Sequence, residues 1–210
     1  PPGRGTGRNR EVAMYKKQVS LQKILCFIAV GVSAAIFIYS LGIITDLYDA
    51  LYSTMWNPND LFQTSVPGSF VYYEMQGFNQ SFLMYGIGMI LLALLLFITN
   101  THVRRKYYIG NYVASGAWAA AGIGGAIWAH GQIEYFKAKF LQVDFAALKE
   151  HSTIFKSAYT ESTFWFDVHY LIFALVILVA VLLIANVCWK ISLMKQEAAL
   201  LAGDGQKSAV

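Results

Sequence analysis

The sequence predicts an all-α integral membrane protein: a four-helix transmembrane bundle with two ordered extracytoplasmic loops that contain short helices. Of its 210 residues, 57% are hydrophobic and only 13% are charged, whereas about 25% of the residues of a soluble domain are charged. Four segments with few charges are each long enough to cross about 30 Å of hydrocarbon as a helix. The basic residues lie near the ends of these segments, which is typical of membrane topology signals.

The N-terminal segment is basic and begins with a glycine-rich polar run, which predicts a disordered cytoplasmic tail over residues 1–22. Met14 is a candidate natural start, which would place residues 1–13 outside the native chain. The transmembrane domain is expected over residues 23–190, with its first helix at 24–44. This apolar run is longer than the 7 to 15 residues typical of a signal peptide, which favours a retained anchor. Helical spacing of apolar residues predicts an amphipathic extension as far as Met55.

The first outer loop contains four acidic residues between Asp46 and Gln80 and no lysine or arginine. Prolines, glycines and aromatic residues predict that its second part, from Asn57, is an irregular cap. A leucine-rich second helix is expected at 81–98, followed by a basic turn at 104–106.

The third helix, expected at 108–129, consists largely of glycine, alanine and serine. Small residues repeat every four positions along it, and in lipid such a face permits close approach of helix backbones. The sequence therefore predicts a helix-packing interface at the centre of the molecule. Its residues are Gly116, Ala117, Ala120, Ala121, Gly124 and Gly125.

The second outer loop runs from His130 to Thr163, and its aromatic residues predict that the third helix continues beyond the membrane. Asp144 is a candidate N-cap of a short helix in this loop. The fourth transmembrane helix is expected at 164–189, with aromatic residues at both ends as is typical of membrane interfaces. Residues 191–210 are expected to form a cytoplasmic tail.

The charge distribution predicts the topology. The segments before the first helix, between the second and third, and after the fourth hold 12 of the 16 lysines and arginines. Because basic residues mark the cytoplasmic side, both termini are expected in the cytoplasm, in a plasma or inner membrane. The basic residues form no groove with interleaved polar side chains, so no nucleic-acid partner is predicted.

The candidate chemical site is a polar cluster at the outer membrane face. His130 and Glu134 are spaced i, i+4 on the third helix, and Asp167 and His169 lie at the start of the fourth. Two imidazoles and a carboxylate are ligands that non-haem iron or zinc takes, and ionisable groups in membrane helices often mark function. The alternative interpretation is that the four residues are hydrated interfacial groups, and on that interpretation no cofactor is predicted.

No nucleotide-binding, hydrolase, zinc-finger or haem-attachment motif is present in the sequence. The predicted role is therefore non-catalytic: a structural or accessory subunit that packs against other membrane proteins or copies of itself, surrounded by lipid. One alternative is a metal or redox enzyme subunit that uses the outer-face cluster with a transition metal. The other is a small transporter or channel component, for which Asn111, Ser115 and Asn186 are the strongly polar residues inside the third and fourth helices.

Overall fold

A computed structural model of the chain describes residues 4–42, 66–101, 108–147, 150 and 161–207. Four long helices account for most of these residues, and no strand occurs among them. The helices are α1 (Arg4–Gly42), α2 (Val71–Thr101), α3 (Tyr108–Phe140) and α4 (Phe164–Lys207). The predicted all-α class is confirmed.

Three helices contain a segment that is long and apolar enough to cross a membrane. In the described part of the chain these segments are Ala13–Leu41, Glu74–Asn100 and Phe164–Gln196. α3 is not among them, and its middle is rich in glycine and alanine in place of large apolar residues. Large apolar side chains such as Leu171 are exposed along the apolar helices. These features indicate a membrane protein with several spans.

Each helix packs against two others: α1 contacts α2 and α4, and α3 contacts the same two helices. Trp118, Phe82, Ile36 and Val176 are fully buried between them. The indole nitrogen of Trp118 donates a hydrogen bond of 3.0 Å to Ser33 Oγ. A buried tryptophan usually finds such a partner, and this one joins α3 to α1.

The short segments at 66–70 and 141–147 lie together at one end of the helices, called the loop end below. The Pro67 carbonyl accepts a hydrogen bond of 3.0 Å from the Asp144 backbone N–H. Asp144 Oδ1 in turn accepts the backbone N–H of Ala147 at 3.0 Å, and residues 145–147 are helical. The predicted N-cap hydrogen bond is therefore present. The opposite end, where α1 and α3 begin, is called the terminal end.

The N-terminal segment differs from the prediction, because α1 is helical from Arg4 whereas residues 1–22 were expected to be disordered. Gln18 and Gln22 are buried and hydrogen-bond to side chains of other helices. These contacts hold a polar segment against the helices, although composition alone predicts that this segment lies in solvent.

The apolar helices are also longer than hydropathy predicts. α2 begins at Val71, inside the stretch expected to be an irregular loop, because Val71, Tyr72 and Met75 bury their side chains in the core. α4 begins at the predicted residue, Phe164, but extends to Lys207 instead of ending at 189. The predicted amphipathic extension as far as Met55 and the predicted basic turn at 104–106 lie outside the described residues.

Candidate metal centre

The loop end of α3 and α4 brings together three of the four predicted site residues. His130 and Glu134 lie one turn apart on α3, and His169 lies in the second turn of α4. His130 Nδ1 is 2.8 Å from His169 Nε2, and His169 Nε2 is 3.9 Å from Glu134 Oε1. One ligand atom from each residue lies within 4.8 Å of the other two.

The His169 ring is oriented by its own helix. Its Nδ1 donates a hydrogen bond to the carbonyl oxygen of Phe166, one turn earlier. Because a carbonyl only accepts hydrogen bonds, Nδ1 carries the proton and Nε2 of the neutral ring presents a lone pair towards His130. His169 is fully buried, whereas His130 is exposed. The cluster therefore has one fixed imidazole and one that solvent reaches.

Glu134 is held by the other helix. The Tyr170 hydroxyl donates a hydrogen bond of 2.7 Å to Glu134 Oε1, and the Tyr170 ring stands edge-on to His130 with 5.7 Å between ring centroids. Groups that orient the ligands from outside are typical of metal sites, because they fix the tautomer of a histidine and the direction of a carboxylate. In this cluster Phe166 and Tyr170 occupy those positions.

Asp167, the fourth predicted residue, is engaged elsewhere. Its carboxylate accepts a hydrogen bond of 2.5 Å from Lys137 Nζ and one of 2.7 Å from Thr163 Oγ1. The hydrogen bond to Asp167 raises the pKa of Lys137 above its ordinary value. The structure therefore places Asp167 in an ion pair between α3 and α4, beside the three-residue cluster.

The spacing of the three ligand atoms fits a first-row transition metal. Ligand distances of about 2.0 to 2.2 Å place neighbouring ligand atoms roughly 3 to 3.5 Å apart. The observed separations, 2.8 Å between the two imidazole nitrogens and 3.9 Å to the carboxylate, lie on either side of that range. Movement of the exposed His130 side chain towards Glu134 would bring the atoms to ligand geometry.

Three residues of the predicted small-residue interface, Gly116, Ala120 and Gly124, face away from the other helices. No described atom lies within 4 Å of a Cβ built on Gly116 or Gly124, and Ala120 is exposed. Ala117, Ala121 and Gly125 are partly buried. Gly116, Ala120 and Gly124 thus lie on the surface instead of at the centre of the molecule, and their packing against another subunit stays a prediction.

The close contacts of α3 are made by Gly122 and by Gly125, one of the six predicted interface residues. A Cβ on Gly122 would lie 2.9 Å from Val176 Cγ1 of α4, and one on Gly125 would lie 2.1 Å from the Tyr85 ring of α2. Trp118, one turn before Gly122, is fully buried. Trp118, the larger of the two bulky residues in the small-residue run, is therefore the sequence signal for the inward face.

A second polar cluster lies at the terminal end, and only two of its four residues were expected inside the helices from the sequence. It consists of four buried amides: Gln18, Gln22, Asn111 and Asn186. The two asparagines stand out in the sequence as polar residues in apolar helices. The two glutamines were assigned to the tail, although their i, i+4 spacing places them on one face of a helix.

Comparison of the sequence and structure with protein-family models, curated proteins and solved structures found no match. These comparisons therefore point to no function.

Proposed function

We propose that the protein is a multi-pass membrane protein that binds a divalent transition metal at the loop end through His130, Glu134 and His169. The observation that carries the proposal is the convergence of two imidazole nitrogens and a carboxylate oxygen within 4.8 Å. The bonds from His169 to Phe166 and from Tyr170 to Glu134 support it, because they orient two of the three ligands before any metal arrives.

The donor set favours zinc or non-haem iron. Two histidines and one carboxylate with further positions open are used for both metals, whereas magnesium and calcium prefer oxygen ligands alone. Three protein ligands leave at least one position for water or a substrate. The proposal therefore agrees with the alternative of a metal or redox enzyme subunit, in which the exposed His130 lies on the side that a substrate reaches.

Metal analysis tests this function directly. Protein purified without chelators should contain about one zinc or iron per chain, and His130→Ala with His169→Ala should remove it. His102→Ala is the matched control, because it deletes an imidazole from another part of the sequence and should leave the metal content unchanged. Purified protein without stoichiometric metal, or a double variant with the wild-type content, would overturn the proposal.

The membrane arrangement proposed with this site has four spans, with α3 as the third, and both termini in the cytoplasm. The distribution of lysine and arginine supports it, and it places the metal centre on the extracytoplasmic side of a plasma or inner membrane. Cysteines at Gly5 and Ser208 should resist an impermeant thiol reagent in intact cells, and one at Ser65 should react. Labelling of either terminus would contradict this topology.

A second candidate function is that of an accessory subunit that associates through the exposed small-residue face of α3. The open surface at Gly116 and Gly124 favours it, because a neighbouring helix could approach the backbone there. Gly116→Leu or Gly124→Leu should release a co-purifying subunit or a second copy of the chain. Leu94→Ile, at an exposed position of α2, is the control. Unchanged assembly in both glycine variants would exclude this face as the interface.

A further inference from the structure

The four amide side chains at the terminal end form a polar site that the metal centre does not use. Gln18 and Gln22 project from α1, Asn111 from α3 and Asn186 from α4, and their exposures are 0%, 5%, 2% and 3%. Among the described residues, their side-chain hydrogen bonds run only to one another. The site is therefore buried, neutral and shared by three helices.

The amides do not satisfy one another. Gln18 Nε2 donates to Gln22 Oε1 at 3.0 Å and to Asn186 Oδ1 at 3.3 Å, and Gln22 Nε2 donates to Asn111 Oδ1. Gln18 Oε1 and Asn111 Nδ2 are buried and have no hydrogen-bond partner in the protein. A buried polar atom without a partner is costly, because the hydrogen bond that it makes to water in the unfolded chain is not replaced.

Rotating the amides does not remove the deficit. If Gln18 alone is turned by 180°, its oxygen faces the oxygens of Gln22 and Asn186. If all four are turned together, every donor becomes an acceptor, and the unpaired atoms become the Gln18 nitrogen and the Asn111 oxygen. In both consistent arrangements one donor and one acceptor remain unpaired, at the same two residues. The cluster therefore lacks one donor and one acceptor.

We propose that this amide cluster is a binding site for water, which can donate to the unpaired acceptor and accept from the unpaired donor. Water is favoured over a charged ligand because the four amides offer no opposite charge, and an uncompensated buried ion is far more costly. It is favoured over a larger neutral molecule because the side chains around it are almost completely buried. Internal waters of this kind typically make about three hydrogen bonds to buried polar groups.

The proposal is tested by a structure of the full chain at a resolution that shows ordered water. Density for water within hydrogen-bonding distance of Gln18 and Asn111 is the expected result. A dry cluster in which the side chains have moved to satisfy every amide atom would overturn the proposal. So would a cation held by the amide oxygens.

Radical footprinting gives an independent readout in the membrane. An X-ray pulse generates hydroxyl radicals from bound water in place, so that a buried sulfur beside such water is oxidised. Cys26 is fully buried and lies one turn beyond Gln22 on α1, whereas Met89 is equally buried on α2. Oxidation of Cys26 well above that of Met89 is expected, and equal protection of both would contradict a hydrated cluster.

A variant links the oxidation to the amides. Replacement of Gln18, Gln22, Asn111 and Asn186 by leucine removes every hydrogen-bonding atom of the site, and the oxidation of Cys26 should fall to the level of Met89. Undiminished oxidation of Cys26 in a folded variant would show that the radicals come from elsewhere. If the variant does not fold, the comparison of Cys26 with Met89 in the wild-type protein decides the question.

Discussion

A Cβ atom built on Gly122 would lie 2.9 Å from Cγ1 of Val176, so that the backbone of α3 lies directly against a side chain of α4. Val176 is fully buried. A valine in a helix has one strongly preferred χ1 rotamer, and its methyl group cannot simply turn away. The contact therefore requires glycine at position 122.

Gly122→Ala should lower the free energy of unfolding by about 1 to 3 kcal/mol, the usual cost of an extra methyl group in a packed core. Unfolding in mild detergent measures the change. The double variant Gly122→Ala with Val176→Ala should lose less than the sum of the two single losses, because the two side chains touch and their effects are not additive.

Gly116→Ala is the matched control, since it makes the same change on the same helix where no described atom lies within 4 Å. It should leave stability unchanged or raise it by up to about 1 kcal/mol, because alanine is the better helix former. Equal losses at both positions would mean that Gly122 is not a special point of approach.

The comparison of these glycines shows where sequence reasoning about α3 reached its limit. A helix that is small on nearly every side permits close packing on any of its faces, and a four-residue spacing selects one face without saying whether it turns inward. The larger of the two bulky residues in the run does say so: Trp118 is buried, and Gly122 follows it by one turn. Composition predicted that α3 permits close packing, and the position of Trp118 shows which of its faces turns inward.

The limits of the helices were predictable only where apolar residues define them. α4 begins at Phe164 as predicted, because an apolar run starts there. The start of α1 was not predictable in this way, since Gln18 and Gln22 are buried through partners on α3 and α4 that are far away in sequence. Hydropathy averages neighbours along the chain and contains no information about such pairs.

The candidate site followed from helical spacing combined with the direction of the helices. His130 and Glu134 share a face because they are one turn apart, and α4 returns past them with His169 at a similar depth. The role of Asp167 was not predictable. Which carboxylate joins a cluster depends on competing partners, and Lys137 binds Asp167 at 2.5 Å.

The orienting role of Tyr170 leads to a prediction that rests on the proposed metal site. Tyr170→Phe removes the hydrogen bond to Glu134 while it keeps the ring against His130, and the affinity for zinc should fall by about 10 to 100-fold. Competition with a chromophoric chelator measures the affinity. Tyr15→Phe, at an exposed position near the start of α1, should have no effect. The same affinity in both variants would remove Tyr170 from the site.

The ion pair of Lys137 and Asp167 predicts a pH dependence. Because Asp167 raises the pKa of Lys137 above 10.5, the pair stabilises the protein below that pH, and its contribution is lost as the pH rises through the higher folded-state pKa. Both side chains are partly exposed, at 21% and 43%, so the contribution should be only about 0.2 to 1 kcal/mol.

Lys137→Met should accordingly be less stable than the wild-type protein near neutral pH, and the difference should close in strongly alkaline solution. Unfolding in detergent across the alkaline range measures it. Lys195→Met, at an exposed position of α4, should show no such pH-dependent difference. A difference for Lys137→Met that persists in strongly alkaline solution would assign the effect to packing of the lysine stem.

The contact between the two loop segments depends on Gly68. Its φ angle is +80°, a conformation that other residues adopt at a cost of about 1 to 3 kcal/mol. A Cβ there would also lie 2.6 Å from the carbonyl oxygen of Gln142 and 2.8 Å from Cα of Val143. Because both are backbone atoms, the segments would have to separate to make room.

Gly68→Ala should therefore destabilise the loop end by at least the cost of the backbone strain, and should break the hydrogen bond from the Asp144 N–H to the Pro67 carbonyl. Limited proteolysis should show faster cleavage between α3 and α4, and the unfolding midpoint should fall. Gly77→Ala is the control, because it lies in α2 with no described atom within 4 Å of the added methyl group. If both variants were cleaved at the wild-type rate, the two loop segments would not depend on their contact at Gly68 for protection.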